Sequence, residues 1–140
     1  YEFGRFETGL ELAHDLGGDR DGTVATFELG MKQPILNGKA FAGLTAEATW
    51  ASDDYMQNSF GISAAQAARS GAGHSAFDAE AGFKDVGLQG MLGYSVTENV
   101  SIITMAKYSR LLNDAADSPL VDREGSANQF QLFLGASYRW

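Results

Sequence analysis

Two histidines are the side chains of this chain best suited to acid–base or metal chemistry, because imidazole is a common general base and metal ligand. The order of the segments predicts that His14 and His74 lie at opposite ends of the fold, too far apart to share a metal ion or a catalytic triad. The chain has no cysteine, which excludes disulfides, thiolate catalysis and cysteine-based zinc sites. We therefore expect two solvated histidines and no catalytic, metal or cofactor site.

Acidic side chains are concentrated in two polar segments. Residues 17–22, "GGDRDG", supply aspartates on a flexible backbone but lack the ligand spacing and terminal glutamate of a calcium loop. Residues 113–124, "NDAADSPLVDRE", contain four acids: Asp114, Asp117, Asp122 and Glu124. A divalent cation bridging these four is one interpretation, and solvated loop charge, with Pro119 shaping the loop, is the simpler one.

Most of the chain alternates between apolar and polar residues, which is the pattern of β-strands with two different faces. Turn-like residues separate the alternating segments, including "KD" at 84–85 and "TEN" at 97–99. The pattern predicts eight strands, over residues 3–13, 23–32, 39–50, 55–62, 77–84, 86–97, 100–109 and 129–140. We therefore expect one all-β domain over residues 1–140, an antiparallel up-and-down β-barrel of about eight strands.

The apolar side of these strands could face a protein core or a lipid bilayer. A soluble barrel turns its apolar side inward, whereas a membrane barrel turns it outward. Aromatic residues fall near the strand ends: Trp50 and Tyr108 at one end, and Tyr94, Tyr138 and Trp140 at the other. Because aromatic rings gain most at the two interfaces of a membrane, this distribution favours a transmembrane barrel. The residues expected to contact outer-membrane lipid include Leu88, Leu92, Ile102, Leu132 and Leu134.

The composition narrows the set of partners. A net charge of -8 makes nucleic acid an unsuitable partner, since phosphate binding requires a clustered positive surface. No segment approaches the ~18 apolar residues of a membrane helix, and the start does not resemble a signal peptide. The first residue is not methionine, which indicates a processed chain or a fragment.

The chain ends on an alternating strand, "QFQLFLGASYRW", at residues 129–140. A C-terminal strand that ends on an aromatic residue resembles the signal by which the barrel assembly machinery recognises outer-membrane barrels, here with tryptophan where phenylalanine is commoner. The resemblance implies that one alternate set forms the assembly signal: Trp140, Tyr138, Ala136, Leu134 and Leu132.

Three stretches resemble the MipA/OmpV family: "GFKDVGL", "LLNDAADSPLV" and the closing strand. Family members are outer-membrane proteins longer than this chain, so the resemblance implies the C-terminal portion of a larger barrel whose N-terminal strands are missing. It also implies a non-enzymatic scaffold that bridges a murein lytic transglycosylase and a peptidoglycan synthase, with adhesin-like roles in some members. No catalytic residues come with the family.

One segment, "SAAQAARSGAG" at residues 63–73, has a helical signal. Ser63 and Gln66 form a capping-box pattern, and a following glycine can end the helix. With the C terminus in the periplasm, counting eight strands backwards places this segment on the periplasmic side, where turns are normally short. It is either a simple connector or a surface on which Ser63, Gln66 and Arg69 contact a periplasmic partner.

Two functions besides the scaffold or adhesin remain open. An outer-membrane lipid-modifying enzyme would need serine, histidine and acidic residues clustered at the membrane edge, and the sequence shows no such cluster. A soluble β-barrel that binds a small apolar ligand would turn the apolar sides of the strands inward. The terminal signal and the aromatic positions both favour the outer membrane.

Overall fold

The computed structural model describes residues 1–15, 22–69 and 75–140, and it contains one antiparallel sheet in which sequential strands are neighbours. The strands are β1 (Glu2–Phe3), β2 (Phe6–Asp15), β3 (Gly22–Ile35), β4 (Ala40–Ala51), β5 (Gly82–Ser95), β6 (Val100–Leu111) and β7 (Asn128–Tyr138). The connections contain the helices α1 (Asp53–Phe60), α2 (Ala64–Arg69), α3 (Asn113–Asp117) and α4 (Pro119–Glu124), and a 3-10 turn at Leu36–Gly38. The up-and-down antiparallel order expected from the sequence is confirmed.

The prediction of eight strands is wrong in two places, and the first is the segment 55–62. Most of it belongs to α1. Met56 and Phe60 are four residues apart, so they share one face of a helix, and Ser52 followed by two aspartates is a typical helix start. Residues 77–81, expected in a separate strand, lie outside the long strands.

The second error is the expected turn at Lys84 and Asp85, which β5 passes through without a break. The register between β4 and β5 shifts here, because Thr49 pairs with Asp85 and Trp50 pairs with Phe83. Lys84 is therefore the extra residue of a β-bulge. The bulge keeps Phe83 on the same face as Trp50, so two predicted strands are one strand of fourteen residues.

The corrected strand order changes the positions of the connections. Those between β2 and β3, β4 and β5, and β6 and β7 leave one end of the sheet, called here the helical end because the four α-helices of the described residues lie there. The C terminus and the turns at residues 36–39 and 96–99 lie at the opposite, terminal end. The expectation that residues 63–73 share an end with the C terminus is therefore wrong for residues 63–69, and residues 70–73 lie outside the described part. The sequence predicts that His14 and His74 lie at opposite ends of the fold. The connection between β4 and β5, which includes residue 74, starts from the same end of the sheet as His14. His74 itself is outside the described residues.

The sheet is open within the described residues. β7 pairs with β6 alone, and β2 is covered on its other side only by the two residues of β1. An edge strand presents unpaired N–H and C=O groups, which a membrane barrel must pair with a further strand. The chain thus supplies six long strands of antiparallel wall, and the closure of a barrel is not seen within the described part.

The buried core is small and lies at the helical end, where α1, α3, α4 and residues 75–81 form a helical cap. Its buried residues are Ala51, Met56, Ala79, Leu111 and Ala115. Polar contacts tie the cap together: the Ser118 hydroxyl donates to the Phe60 carbonyl at 2.6 Å, and the Glu80 N–H donates to Asp114 at 2.8 Å. The stretch "LLNDAADSPLV" is therefore a structural element, which supports the simpler interpretation of this loop.

Candidate functional site

One face of the sheet, called here the apolar face, is exposed from β2 to β7. A row of cross-strand neighbours on it runs through Leu29, Ala46, Leu88, Tyr108 and Phe130, one from each strand from β3 to β7. All five leucine and isoleucine residues expected to contact lipid lie on this face, with exposed fractions between 39% and 71%. Large apolar side chains therefore cover this face of the sheet without a layer packed over them in the described part.

Such a surface is unusual for a soluble monomer, whose contiguous apolar patches rarely exceed a few hundred Å². A soluble barrel would bury these side chains in a core. The core of the described residues lies instead on the opposite face, around Met56, and only at the helical end. The apolar face is thus free to contact something else.

Most of the aromatic residues expected at strand ends lie at the two ends of the apolar face, but Tyr108, expected beside Trp50, pairs with Leu88, two rungs closer to the middle. Trp50 pairs with Phe83 at the helical end, and Tyr94 and Tyr138 lie in the last residues of their strands at the terminal end. The rings of Tyr138 and Trp140 are 6.3 Å apart between centroids. Trp140 is 99% exposed and lies just beyond β7. Leucine and alanine are the commonest residues between these two bands, and the aromatic residues among them are Phe6, Phe27, Tyr108 and Phe130.

The residues expected to form an assembly signal come together on one strand. Tyr138, Ala136, Leu134 and Leu132 occupy alternate positions of β7, on the apolar face. β7 is also the strand whose outer edge is unpaired within the described residues. The set therefore combines an exposed apolar surface with an exposed strand edge.

The opposite face, called here the polar face, contains charged residues in partly shielded surroundings. Lys107 of β6 reaches across β5 to Glu47 of β4, with 2.5 Å between Nζ and Oε1. Gly87 makes this contact possible, because a Cβ there would lie 2.7 Å from the Glu47 carboxylate. The polar face thus includes an ion pair that joins β4 to β6 across β5.

An apolar cluster interrupts the polar face, and sequence reasoning missed it. Here named the methionine patch, it consists of Phe41, Met91, Ile103, Met105 and Phe133. Each of these residues is apolar at a position where the alternating pattern of its strand calls for a polar residue. Such exceptions occur in four consecutive strands, and this recurrence is the signal that could have revealed the cluster. Cross-strand pairing then brings them together.

The capping box predicted at Ser63 and Gln66 is confirmed. The Ser63 N–H donates to Gln66 Oε1 at 2.8 Å, and the Gln66 N–H donates to Ser63 Oγ at 3.2 Å. Arg69 Nε donates to the Ala65 carbonyl at 3.0 Å. All three candidate contact residues are exposed, but they lie at the helical end, so their expected position beside the C terminus is wrong.

The remaining candidates for chemistry are dispersed. His14 Nδ1 lies 2.9 Å from Thr23 Oγ1 at the edge of the apolar face, and residues 17–21 are outside the described part. Over residues 1–15, 22–69 and 75–140, no three histidine or acidic residues are grouped so that they could hold a metal ion.

The helices are short. None of those in the described ranges has the length and apolar character needed to cross a membrane.

Comparison with protein families gives a match over residues 1–140 to the family model described as "MltA-interacting protein MipA". The match extends beyond the three stretches that carry the resemblance in the sequence. No match was found among curated proteins or solved structures.

Proposed function

The chain belongs to the MipA family, and from that membership we propose that it forms outer-membrane β-barrel wall and serves as a non-enzymatic scaffold. Its partners in this role are a murein lytic transglycosylase and a peptidoglycan synthase of the cell wall. The observation that carries the proposal is the apolar face, which runs across six strands with large side chains exposed. Lipid is the environment in which such a face is stable.

The height of the apolar face agrees with a bilayer. Trp50 marks one aromatic band, and Ala40, the partner of Tyr94, marks the other, ten residues away along β4. At ~3.3 Å per residue this separation is ~33 Å along the strand, or ~25 Å at a tilt of ~40°. Membrane barrels have an apolar band of about 25 Å between their aromatic girdles.

The connections favour one orientation in this membrane. Outer-membrane barrels have short periplasmic turns and longer extracellular connections. The turns at residues 36–39 and 96–99 are short, and the connections at 52–81 and 112–127 contain the helices. The terminal end therefore faces the periplasm in our proposal, and the helical cap faces outward.

This orientation moves the proposed partner surface away from α2. Ser63, Gln66 and Arg69 lie at the outward end, so a periplasmic enzyme would not reach them. We place the scaffold contacts at the terminal end, where Lys39 lies in the turn after β3 and Arg139 follows β7. Neither cation forms an ion pair with an acidic side chain among the residues that the structure describes.

Capture of the transglycosylase tests the scaffold. The full chain is inserted into lipid vesicles, insertion is checked by heat-modifiable migration, and retention of the purified transglycosylase is measured. We expect retention by the unaltered chain, weaker retention by the double variant Lys39→Glu, Arg139→Glu, and unchanged retention by Arg69→Glu. Equal retention by vesicles with and without the inserted chain would reject the scaffold.

The helical cap favours a surface adhesin as a second candidate. The cap is tied to the sheet by buried apolar residues and hydrogen bonds, so it would present a fixed surface outside the cell. Binding of inserted chain to host-cell surfaces tests this role. Replacing residues 64–69 with a short Gly-Asn turn removes α2, which is exposed at the same end of the sheet as the cap, and should reduce host-cell binding while leaving transglycosylase retention unaltered.

A further inference from the structure

The methionine patch lies where a solvated surface would be polar. Two adjacent rungs of the sheet build it: Met91, Met105 and Phe133 are successive neighbours on one, and Phe41 and Ile103 lie on the next, either side of Gly93. Phe133 is 53% exposed, and the other four side chains are partly exposed. Apolar atoms held in water on an otherwise polar face are a sign of a binding surface.

Two glycines shape the floor of the patch. A Cβ at Gly93 would collide with the ring of Phe41, and a Cβ at Gly135 would lie 2.9 Å from the ring of Phe133. Both rings therefore lie across a neighbouring glycine along the sheet. Methionine side chains between them adapt easily to the shape of a ligand. The result is a shallow apolar surface whose methionine side chains can change conformation to fit a ligand.

Positive charge lies at one end of this floor. Lys32 is on the same rung as Met91, Met105 and Phe133, separated from Met91 by Gly43. Its ammonium group is 4.5 Å from the centre of the Phe41 ring. Arg5 lies beside it in a hollow of about 370 Å³ that also includes Glu7, so the hollow contains two cations and one anion.

The far end of the floor is a second hollow, of about 430 Å³, beside Met105 and Phe133. Four strand spacings of ~4.8 Å separate Lys32 from Phe133, so the site is about 19 Å long. A ligand that matches it has a long apolar body and an anionic head. Lys107, at the far end, is already paired with Glu47 and does not compete for that head.

We propose that the methionine patch binds a long-chain carboxylate, with the acyl chain on Met91, Met105 and Phe133 and the carboxylate at Lys32. This activity goes beyond a scaffold role, because the site is on the polar face and needs no protein partner. In a barrel wall the polar face lines the interior, which shields the acyl chain from the bilayer.

Equilibrium binding of radiolabelled oleate to the full chain in lipid nanodiscs tests the proposal, with protein-free nanodiscs subtracted. Oleyl alcohol serves as the same chain without the carboxylate. The double variant Met105→Gln, Phe133→Gln should weaken both ligands by tenfold or more, because two apolar contacts are lost. Met31→Gln, the same type of change on the apolar face, is the matched control and should leave both affinities unaltered.

The head group is tested by a second pair of variants. Lys32→Gln should weaken the affinity for oleate by about tenfold and leave the affinity for oleyl alcohol unchanged. Lys107→Gln should change neither affinity. Oleate binding no greater than the protein-free background would overturn the proposal, as would equal losses in the two lysine variants or a loss in Met31→Gln. Transglycosylase retention should be unaffected by Met105→Gln, Phe133→Gln, so the failure of the ligand site and of the scaffold can be told apart.

Discussion

Leu88→Arg is the substitution that best separates a lipid-facing surface from a water-facing one. Leu88 is on the apolar face, and its partner Ala46 lies four residues from Trp50 and six from Ala40, near the middle of the proposed bilayer. An arginine facing lipid at the midplane costs about 2–4 kcal/mol of folding stability in a membrane barrel. On a surface already in water, the same change is usually within about 0.5 kcal/mol.

The neighbouring Gln89→Arg is the matched control, because residue 89 is on the polar face of the same strand. Reversible urea unfolding in lipid vesicles, followed by tryptophan fluorescence, measures both free energies. We expect Leu88→Arg to lower the free energy of unfolding by about 2–4 kcal/mol and Gln89→Arg to change it far less. Equal effects of the two substitutions, or no effect of Leu88→Arg, would refute the assignment of the apolar face to lipid.

Three further predictions concern the terminal signal and the helical cap. Trp140→Asp should block membrane insertion while synthesis continues, because a carboxylate replaces the exposed aromatic residue at the end of the signal; normal amounts of heat-modifiable protein would contradict this. Met56→Ala should destabilise the cap by about 2–5 kcal/mol, since Met56 is 0% exposed, and faster proteolysis between residues 52 and 81 with an intact sheet would reveal it. Ser118→Ala should cost about 1–3 kcal/mol by leaving the partly buried Phe60 carbonyl without its donor, measurable as faster amide exchange in α4.

The sequence predicted the strand-rich architecture well because alternation is a local property. The prediction of secondary structure failed where the same residues are compatible with two different structures. Residues 55–62 satisfy an imperfect alternation, but Met56 and Phe60 also satisfy the spacing of a helix face, and burial against Ala115 and Leu111 decided the outcome. At Lys84 the break in alternation marks a bulge, and a bulge can only be recognised from the pairing with β4.

The candidate site was predictable only in part, for a related reason. The apolar face follows from alternation, so Leu88 and Leu132 were placed on the correct surface. The position of α2 depended on the strand count, and one false turn moved it to the wrong end. The methionine patch depends on register across four strands, which no single segment specifies. Neighbours such as Met105 and Phe133 are far apart in the chain and meet only in the folded sheet.

The most direct measurement of the central claim is the accessibility of spin labels along β7 in a bilayer. Labels at Leu132 and Leu134 should collide freely with oxygen and be shielded from a water-soluble nickel reagent, and Leu88, Leu92 and Ile102 should behave alike. A label at Gln131, which precedes Leu132 and is on the polar face, should show the reverse. If the labels on the apolar face are inaccessible to both reagents, or accessible to the nickel reagent as Gln131 is, the apolar face does not contact lipid and the outer-membrane account is contradicted.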